Sequence, residues 1–218
     1  MKSGKFITFE GGEGVGKSTQ AKLLVEGLAK RGIDVILTRE PGGSPFAERI
    51  RALLLDPATP AHGALCEALL FYAARADHLQ QTIAPHLSGG GWVVCDRFSD
   101  STRVYQGSAG GVAPEVLERL EDLVVKKQRP DLTVVLDLDP RDGLGRVRRR
   151  LAPTRTPGEA DRFEQRELAF HQRLRAGYLA LATADPGRCV IVDAGQPPEI
   201  IAAAVWQAVA ERLLAGAS

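Results

Sequence analysis

The sequence predicts an α/β fold: a parallel sheet of five strands with helices on both faces. Two observations carry it. Short apolar runs alternate with longer helix-like segments along the chain, the pattern of an open sheet wound by crossovers. The strongest runs, Phe6 to Phe9, Trp92 to Cys95 and Leu132 to Leu136, are almost continuously apolar, as parallel strands buried on both faces are.

Two weaker runs, Asp34 to Leu37 and Cys189 to Val192, complete the five. Helix-like segments fall near Lys17 to Arg31, Pro45 to Leu55, Ala64 to Leu87, Pro114 to Lys127, Phe163 to Ala182 and Pro198 to Leu214. No internal repeat is visible. Leu151 to Ala160, with two Pro and one Gly, is the most loop-like interior stretch. The whole range 1–218 is expected to form one domain, a size at which a single core is feasible. Ligands of such sheets bind beyond the carboxyl ends of the strands. Gly11, Arg39 and Asp96 follow the first, second and third runs there.

Composition narrows the classes. With 44% hydrophobic and 25% charged residues the chain reads as an ordinary globular protein. Its net charge of +1 speaks against a nucleic-acid coat, so no nucleic-acid partner is expected. No apolar stretch is long enough to span a bilayer, and the N-terminal residues enter a strand-like run without a signal-like core. Cys66, Cys95 and Cys189 are far apart and lack metal-type spacing. Reduced thiols, a cytoplasmic location and no membrane partner are therefore expected.

The sharpest motif is Gly11-Gly12-Glu13-Gly14-Val15-Gly16-Lys17-Ser18, followed by Thr19. It is a G-x-x-x-x-G-K-S loop between a strand and a helix, the context in which backbone N–H groups cradle phosphates. The helix N-terminus adds positive potential. Lys17 is a point charge for the β/γ-phosphates, and Ser18 offers an oxygen to Mg²⁺. A triphosphate such as ATP is the implied ligand. The motif alone does not separate kinases from ATPases, GTPases or motors.

The chain contains no Asn. That removes the N-K-x-D guanine reader and the Asn magnesium ligand of protein kinases. Two further motifs follow strands: Thr38-Arg39-Glu40-Pro41-Gly42-Gly43, and Asp96-Arg97-Phe98-Ser99-Asp100-Ser101-Thr102-Arg103-Val104-Tyr105-Gln106. Together with Phe9-Glu10-Gly11-Gly12-Glu13-Gly14 they resemble the thymidylate kinase family, from about Lys5 to the C-terminal helix. Phe98 stands where the family often has Tyr, and Val104 where it often has Ala. The resemblance implies a P-loop nucleoside monophosphate kinase fold, transfer of phosphate from Mg-ATP to dTMP, and a homodimer.

The acceptor phosphate has a second pKa of about 6 and is already a nucleophilic dianion at neutral pH. The chemistry therefore needs positioning and charge stabilisation rather than a base. The resemblance implies that Asp96 organises magnesium through water and that Arg97 bridges acceptor and transferring phosphates; a purely structural Asp–Arg pair is the alternative. Arg51 corresponds to an arginine on the monophosphate. Arg39 either grips that phosphate or pins its loop through Glu40. Phe71 and Arg75 lie four apart on a predicted helix, hence on one face, where the family stacks thymine and bonds its O4. Core packing is the alternative for Phe71. Gln106 and Thr102 map near the base edge, Tyr105 against the sugar C2′, and Glu13 at the 3′-hydroxyl.

Arg146, Arg148, Arg149, Arg150, Arg155 and Arg162 cluster around the loop-like stretch. A solvated face is the ordinary reading of such a run. The phosphate loop itself has no arginine, and the resemblance then implies a lid, about residues 142–164, that supplies the catalytic one. Arg150 and Arg155 are the expected candidates. Competing readings are a kinase for another monophosphate, a non-catalytic nucleotide switch, or a nucleic-acid-dependent ATPase.

Overall fold

A computed structural model describes residues 4–151 and 167–215. Five strands form one parallel sheet: β1 Phe6–Glu10, β2 Val35–Arg39, β3 Trp92–Asp96, β4 Leu132–Asp137 and β5 Cys189–Asp193. Their order is β2-β3-β1-β4-β5. From β1 in the middle the chain runs to the edge strand β2, returns to place β3 between them, then crosses to β4 and β5 on the other side. The carboxyl end of β1 thus becomes the switch point where such sheets open a crevice.

The helices are α1 Lys17–Lys30, α2 Pro45–Leu55, α3 Ala64–His78, α4 Ala84–Ser88, α5 Ser99–Thr102, α6 Pro114–Val124, α7 Pro140–Leu151, α8 Leu168–Ala184 and α9 Pro198–Val209. Alternate strand residues feed opposite faces, as the period of two requires. Val94 and Val134 pack with Leu24 and Leu28 of α1 and Ile201 and Val205 of α9. Val93 and Cys95 face Ala68 and Tyr72 of α3 and Leu117 of α6. Val135 meets Leu174 and Tyr178 of α8. Both faces are covered, as the continuous apolar runs predict.

Three differences from the sequence expectation have physical causes. The single helix expected over Ala64 to Leu87 is α3, a π-helical turn at Leu79–Ile83, then α4. Pro85 has no N–H for the helical ladder, and the widened turn precedes it. The segment Ser99 to Ser108 is α5 continued by a π-helical turn, Arg103–Ser108. Third, α7 was not expected as a helix, because its twelve residues include two Gly, five Arg and one Asp. A signal was present: Leu144, Val147 and Leu151 keep helical spacing, Pro140 suits the first turn, and Asp139 caps the Arg141 N–H at 2.8 Å. Of the expected lid, residues 142–151 belong to α7, and residues 152–164 lie outside the described residues.

Candidate active site

The site is assembled at the carboxyl edge of the sheet. Phe9 of β1 pairs with Asp96 of β3, and the Arg97 N–H donates to the Phe9 carbonyl at 2.9 Å. This draws the Asp96-Arg97 dipeptide against the glycine loop that leaves β1. At the other end of that loop Gly16 adopts φ 97°, a left-handed turn that Gly makes without strain, and α1 begins at once. No side chain caps the first turn of α1 and no acidic residue lies in it. Its N–H groups are thus directed at whatever anion enters the loop.

One cavity of about 390 Å³ gathers the expected residues. Glu13, Gly14, Gly16, Lys17, Ser18 and Thr19 line one end, Asp96, Arg97 and Tyr105 the middle, and Phe71, Arg75, Thr102 and Gln106 the other end. Arg39, Arg51 and Arg150 also border it. Gly11, Gly12 and Val15 instead form the back of the loop, against Leu136 and Leu138 of the β4 side. Arg155 lies outside the described residues.

Lys17 is buried, and its Nζ donates to the carbonyls of Gly12 and Gly11 at 2.6 and 3.2 Å. Burial, helped by the neighbouring Arg97 charge, lowers its pKa to about 8. Ser18 Oγ hydrogen-bonds the Asp96 carboxylate, so two hard oxygen donors meet beside the phosphate loop. Such a pair fits Mg²⁺, which keeps most of its waters and takes few protein ligands. No cluster of three metal-ligating side chains occurs among the described residues, as a phosphate-borne ion requires none.

Arg97 is the most constrained side chain of the site. Its backbone lies at φ 68°, a conformation that a non-glycine residue holds only when its surroundings over-determine it. Those surroundings are visible. Nη1 donates to the Gly11 carbonyl (3.1 Å), Ser101 Oγ (3.2 Å) and Tyr178 Oη (3.2 Å). Nη2 donates to Glu13 Oε1 (2.8 Å) and Tyr105 Oη (3.1 Å). Burial alone would raise the Glu13 carboxyl, but Arg97 and Lys17 outweigh it and hold it at about 2. A carboxylate inside the anion cradle is thus explained locally: it orders two cations and accepts from the Tyr105 hydroxyl at 2.6 Å.

Arg75 is 1% exposed. Its Nε donates to Glu40 Oε2 at 2.7 Å and its Nη2 to Thr102 Oγ1 at 3.2 Å. Nη1 has no hydrogen-bond partner among the described residues. Buried unsatisfied donors are costly, and this one sits on a side chain that lines the cavity. Phe71 borders the cavity and packs against Ile50 and Leu54 of α2.

Arg39 corrects one expectation. It does not engage Glu40. It forms an exposed pair with Glu48 of α2 at 3.0 and 3.1 Å, and Glu48 also accepts the Gly43 N–H at 3.0 Å. Glu40 is buried and committed to Arg75 and to His78 Nδ1, 3.1 Å away. Arg51 Nη1 donates to the Pro41 carbonyl at 2.7 Å. Both arginines hold the loop after β2 while bordering the cavity.

Several residues escaped the sequence reading. His78 ties Glu40 to Thr38 Oγ1 (2.7 Å) from full burial. Glu10 is buried and accepts from the Phe98 and Ser101 N–H groups (2.8 and 3.2 Å), Ser101 Oγ (2.6 Å) and Tyr178 Oη (3.2 Å). It thereby fixes the turn that carries Arg97. Burial and the nearby Asp100 charge push its pKa up to about 7. A Glu inside an apolar strand was the available signal, since buried carboxylates require partners.

Known proteins are similar to this one along nearly the whole chain. A family model described as Thymidylate kinase matches residues 9–205. The chain is 50% identical to a thymidylate kinase of Bradyrhizobium sp. (strain BTAi1 / ATCC BAA-1182), over 96% of this chain and 91% of that protein. It is 51% identical to one of Trichlorobacter lovleyi, over 95% and 98%. The crystal structure of thymidylate kinase from Ehrlichia chaffeensis superposes with a TM-score of 0.75 at 32% identity, covering 95% of this chain and 99% of that one. With its phosphate loop, its Asp96-Arg97 turn and its buried arginine all in one cleft, this chain belongs to the thymidylate kinase family.

Proposed function

We propose that the protein transfers the γ-phosphoryl group of Mg-ATP to dTMP, giving dTDP and ADP. The observation that carries this is one cavity with a cationic phosphate cradle at one end and, beside an aromatic ring at the other, a buried guanidinium nitrogen that has no hydrogen-bond partner among the described residues. A polyphosphate fits the first end. A pyrimidine with a carbonyl acceptor fits the second.

The reaction couples a phosphate dianion to a triphosphate, so the protein's task is to hold two polyanions in line and offset the charge that develops. In our reading the loop N–H groups, the α1 terminus and Lys17 hold the ATP phosphates. Ser18 and Asp96 hold Mg²⁺, which when bound supplies Lewis-acid charge neutralisation at phosphate oxygens. Arg97, already oriented by Glu13 and Tyr105, meets the acceptor and transferring phosphates, with Arg51 and Arg39 at the acceptor side. Phe71 stacks the base, Arg75 Nη1 donates to O4, Gln106 and Thr102 face the base edge, and Tyr105 packs against C2′. Arg150, exposed at the end of α7 and bordering the cavity, delivers further charge to the transferring phosphoryl group, and Arg155, outside the described residues, is proposed for the same role. The chain is read as one domain and as cytoplasmic; no helix among the described residues is long and apolar enough to cross a membrane.

We also propose a homodimer. Leu53 of α2, Leu65 and Leu69 of α3 and Leu123 of α6 are 47–67% exposed, and these helices pack side by side. An apolar surface of this kind is commonly covered by a second copy. Light scattering at micromolar concentration reads it directly: twice the chain mass is expected, and a monomer overturns it.

The catalytic reading is tested by ADP release with Mg-ATP and, separately, dTMP, dUMP, UMP, CMP, AMP and GMP, with the products separated by chromatography. dTMP is expected to be by far the best acceptor. Turnover with a purine monophosphate instead would overturn the base site, and no turnover with any would leave a nucleotide-binding protein without transfer.

A further inference from the structure

Gln106 lies in the π-helical turn after α5, is 1% exposed, and borders the cavity. Its Nε2 donates to Glu67 Oε2 of α3 at 3.2 Å. Its Oε1 has no hydrogen-bond partner among the described residues. Glu67 is itself 3% exposed, sits behind Gln106 rather than at the cavity, and has the His62 ring 3.8 Å from its other oxygen. A carboxylate accepts hydrogen bonds and does not donate them, whereas a side-chain amide has one donating end and one accepting end. Facing Glu67, the amide must present its NH₂ to the carboxylate and its oxygen to the other side.

We infer that Glu67 is a positioning residue for base selection: it locks the Gln106 amide so that the base end of the cavity shows an acceptor beside the Arg75 donor. This rests on the dTMP reading above. Thymine and uracil offer O4, an acceptor, and N3–H, a donor; they complement Arg75 Nη1 and Gln106 Oε1 as a pair. Cytosine offers an amino donor and a bare N3 acceptor, which meets like with like at both atoms. Only a fixed amide makes the mismatch at N3 count, because a free one turns over to match either base there. The hydrogen bond from Glu67 thus converts an indifferent side chain into a discriminating one.

The test compares dTMP with 5-methyl-dCMP, which keeps the methyl group and sugar and differs only at the exocyclic 4-substituent and N3. The ratio of their kcat/KM values is measured for the wild-type protein, Glu67→Gln, and the double variant E67Q/Q106E, with melting temperature and KM for ATP recorded alongside. A glutamine at 67 both donates and accepts, so the amide at 106 is free to invert. The expected result is a fall in the dTMP preference by about tenfold, one lost buried hydrogen-bond match. In the double variant the amide at 67 donates to the carboxylate at 106, which again shows only acceptors to the base, and the preference returns. A folded E67Q with an unchanged ratio overturns the inference, and so does a double variant that stays indiscriminate. Should E67Q not fold, Glu67→Asp, which keeps the charge but retracts the carboxylate, is expected to lose the same preference, and an unchanged ratio there is equally fatal. If the wild-type protein does not use dTMP at all, it is the proposed function that fails.

Discussion

The two ends of the cavity are built differently. At the base end each polar side chain is held by another buried side chain: Arg75 by Glu40 and Thr102, Glu40 by His78, Gln106 by Glu67. At the phosphate end Lys17 rests on the backbone carbonyls of Gly11 and Gly12, and Arg97 combines the Gly11 carbonyl with the side chains of Glu13, Ser101, Tyr105 and Tyr178. Side-chain networks in a dry interior are satisfied in one arrangement only, which suits reading a base. Loop carbonyls can be given up for a better partner when an anion arrives. The base end should therefore fail through stability and selectivity, the phosphate end through rate.

Arg75→Ala is expected to show the largest effect. It strands Glu40 in the interior with His78 as its remaining side-chain partner, and breaking a buried pair from one side costs about 3–5 kcal/mol. Chemical denaturation should show that loss, and the protein that remains folded should bind dTMP more weakly with KM for ATP retained. A variant as stable as the parent would mean that the Glu40–Arg75 pair does not brace the base end.

Arg97→Ala is expected to act on turnover. Removing one preorganised cation from a developing charge lowers kcat by about 10²–10³-fold, or roughly 3–4 kcal/mol, with KM for either nucleotide changing much less. Equal kcat would remove Arg97 from the reacting phosphates. Together the two variants separate the ends: if Arg75→Ala lost only rate and Arg97→Ala only stability, the contrast would be reversed.

Below the phosphate end lies Glu10, the carboxylate that shapes the Arg97 turn. Its folded pKa is raised to about 7 from an ordinary 4.5. Between those values the folded state therefore holds a proton that the unfolded chain has released. Stability from this group is complete below about pH 4.5 and is lost as pH rises through 7. The shift corresponds to at most about 3 kcal/mol. Melting temperature measured from pH 4.5 to 8 should carry this downward slope, and Glu10→Gln should flatten it. An unchanged slope in that variant would assign the titration elsewhere.

How much was legible follows from what each residue needs. The phosphate loop and the Asp96-to-Gln106 segment are contiguous, and their chemistry depends on local order, so spacing located the first and the family resemblance the second. The three central strands were legible because burial on both faces demands unbroken apolar runs, and the part-exposed edge strands β2 and β5 gave the weaker signals. The partners were not. Nothing local links Glu40 to Arg75, Glu67 to Gln106 or Glu10 to Tyr178, which are 35, 39 and 168 positions apart. One of the two readings of Arg39 named the wrong glutamate for the same reason: adjacency suggests Glu40, while helix geometry brings Glu48. α7 escaped the sequence reading because arginines and two glycines dominate it and leave only the thin stripe of Leu144, Val147 and Leu151, while part of its packing is backbone on backbone.

That backbone packing supplies the smallest and most specific comparison. Gly143, in the first turns of α7, lies so close to the phosphate loop that an added Cβ would collide with the Glu13 carbonyl oxygen, and one on Gly14 with the Gly143 carbonyl. Neither neighbour is a side-chain tip that can swing aside. In an isolated helix Gly→Ala is worth about 1 kcal/mol in favour of Ala. Here Gly143→Ala must push α7, with Arg150 at its far end, away from the loop that receives ATP. The expected outcome is a KM for ATP raised by up to about tenfold, roughly 1.4 kcal/mol, with KM for dTMP nearly unchanged and melting temperature no lower than the parent's by more than a few degrees. A matched rise in both KM values would mean that the displacement travels through Glu13 and Arg97 into the acceptor end, and that the two ends are one mechanical unit. No rise in either would mean that the loop and α7 separate without consequence for nucleotide binding.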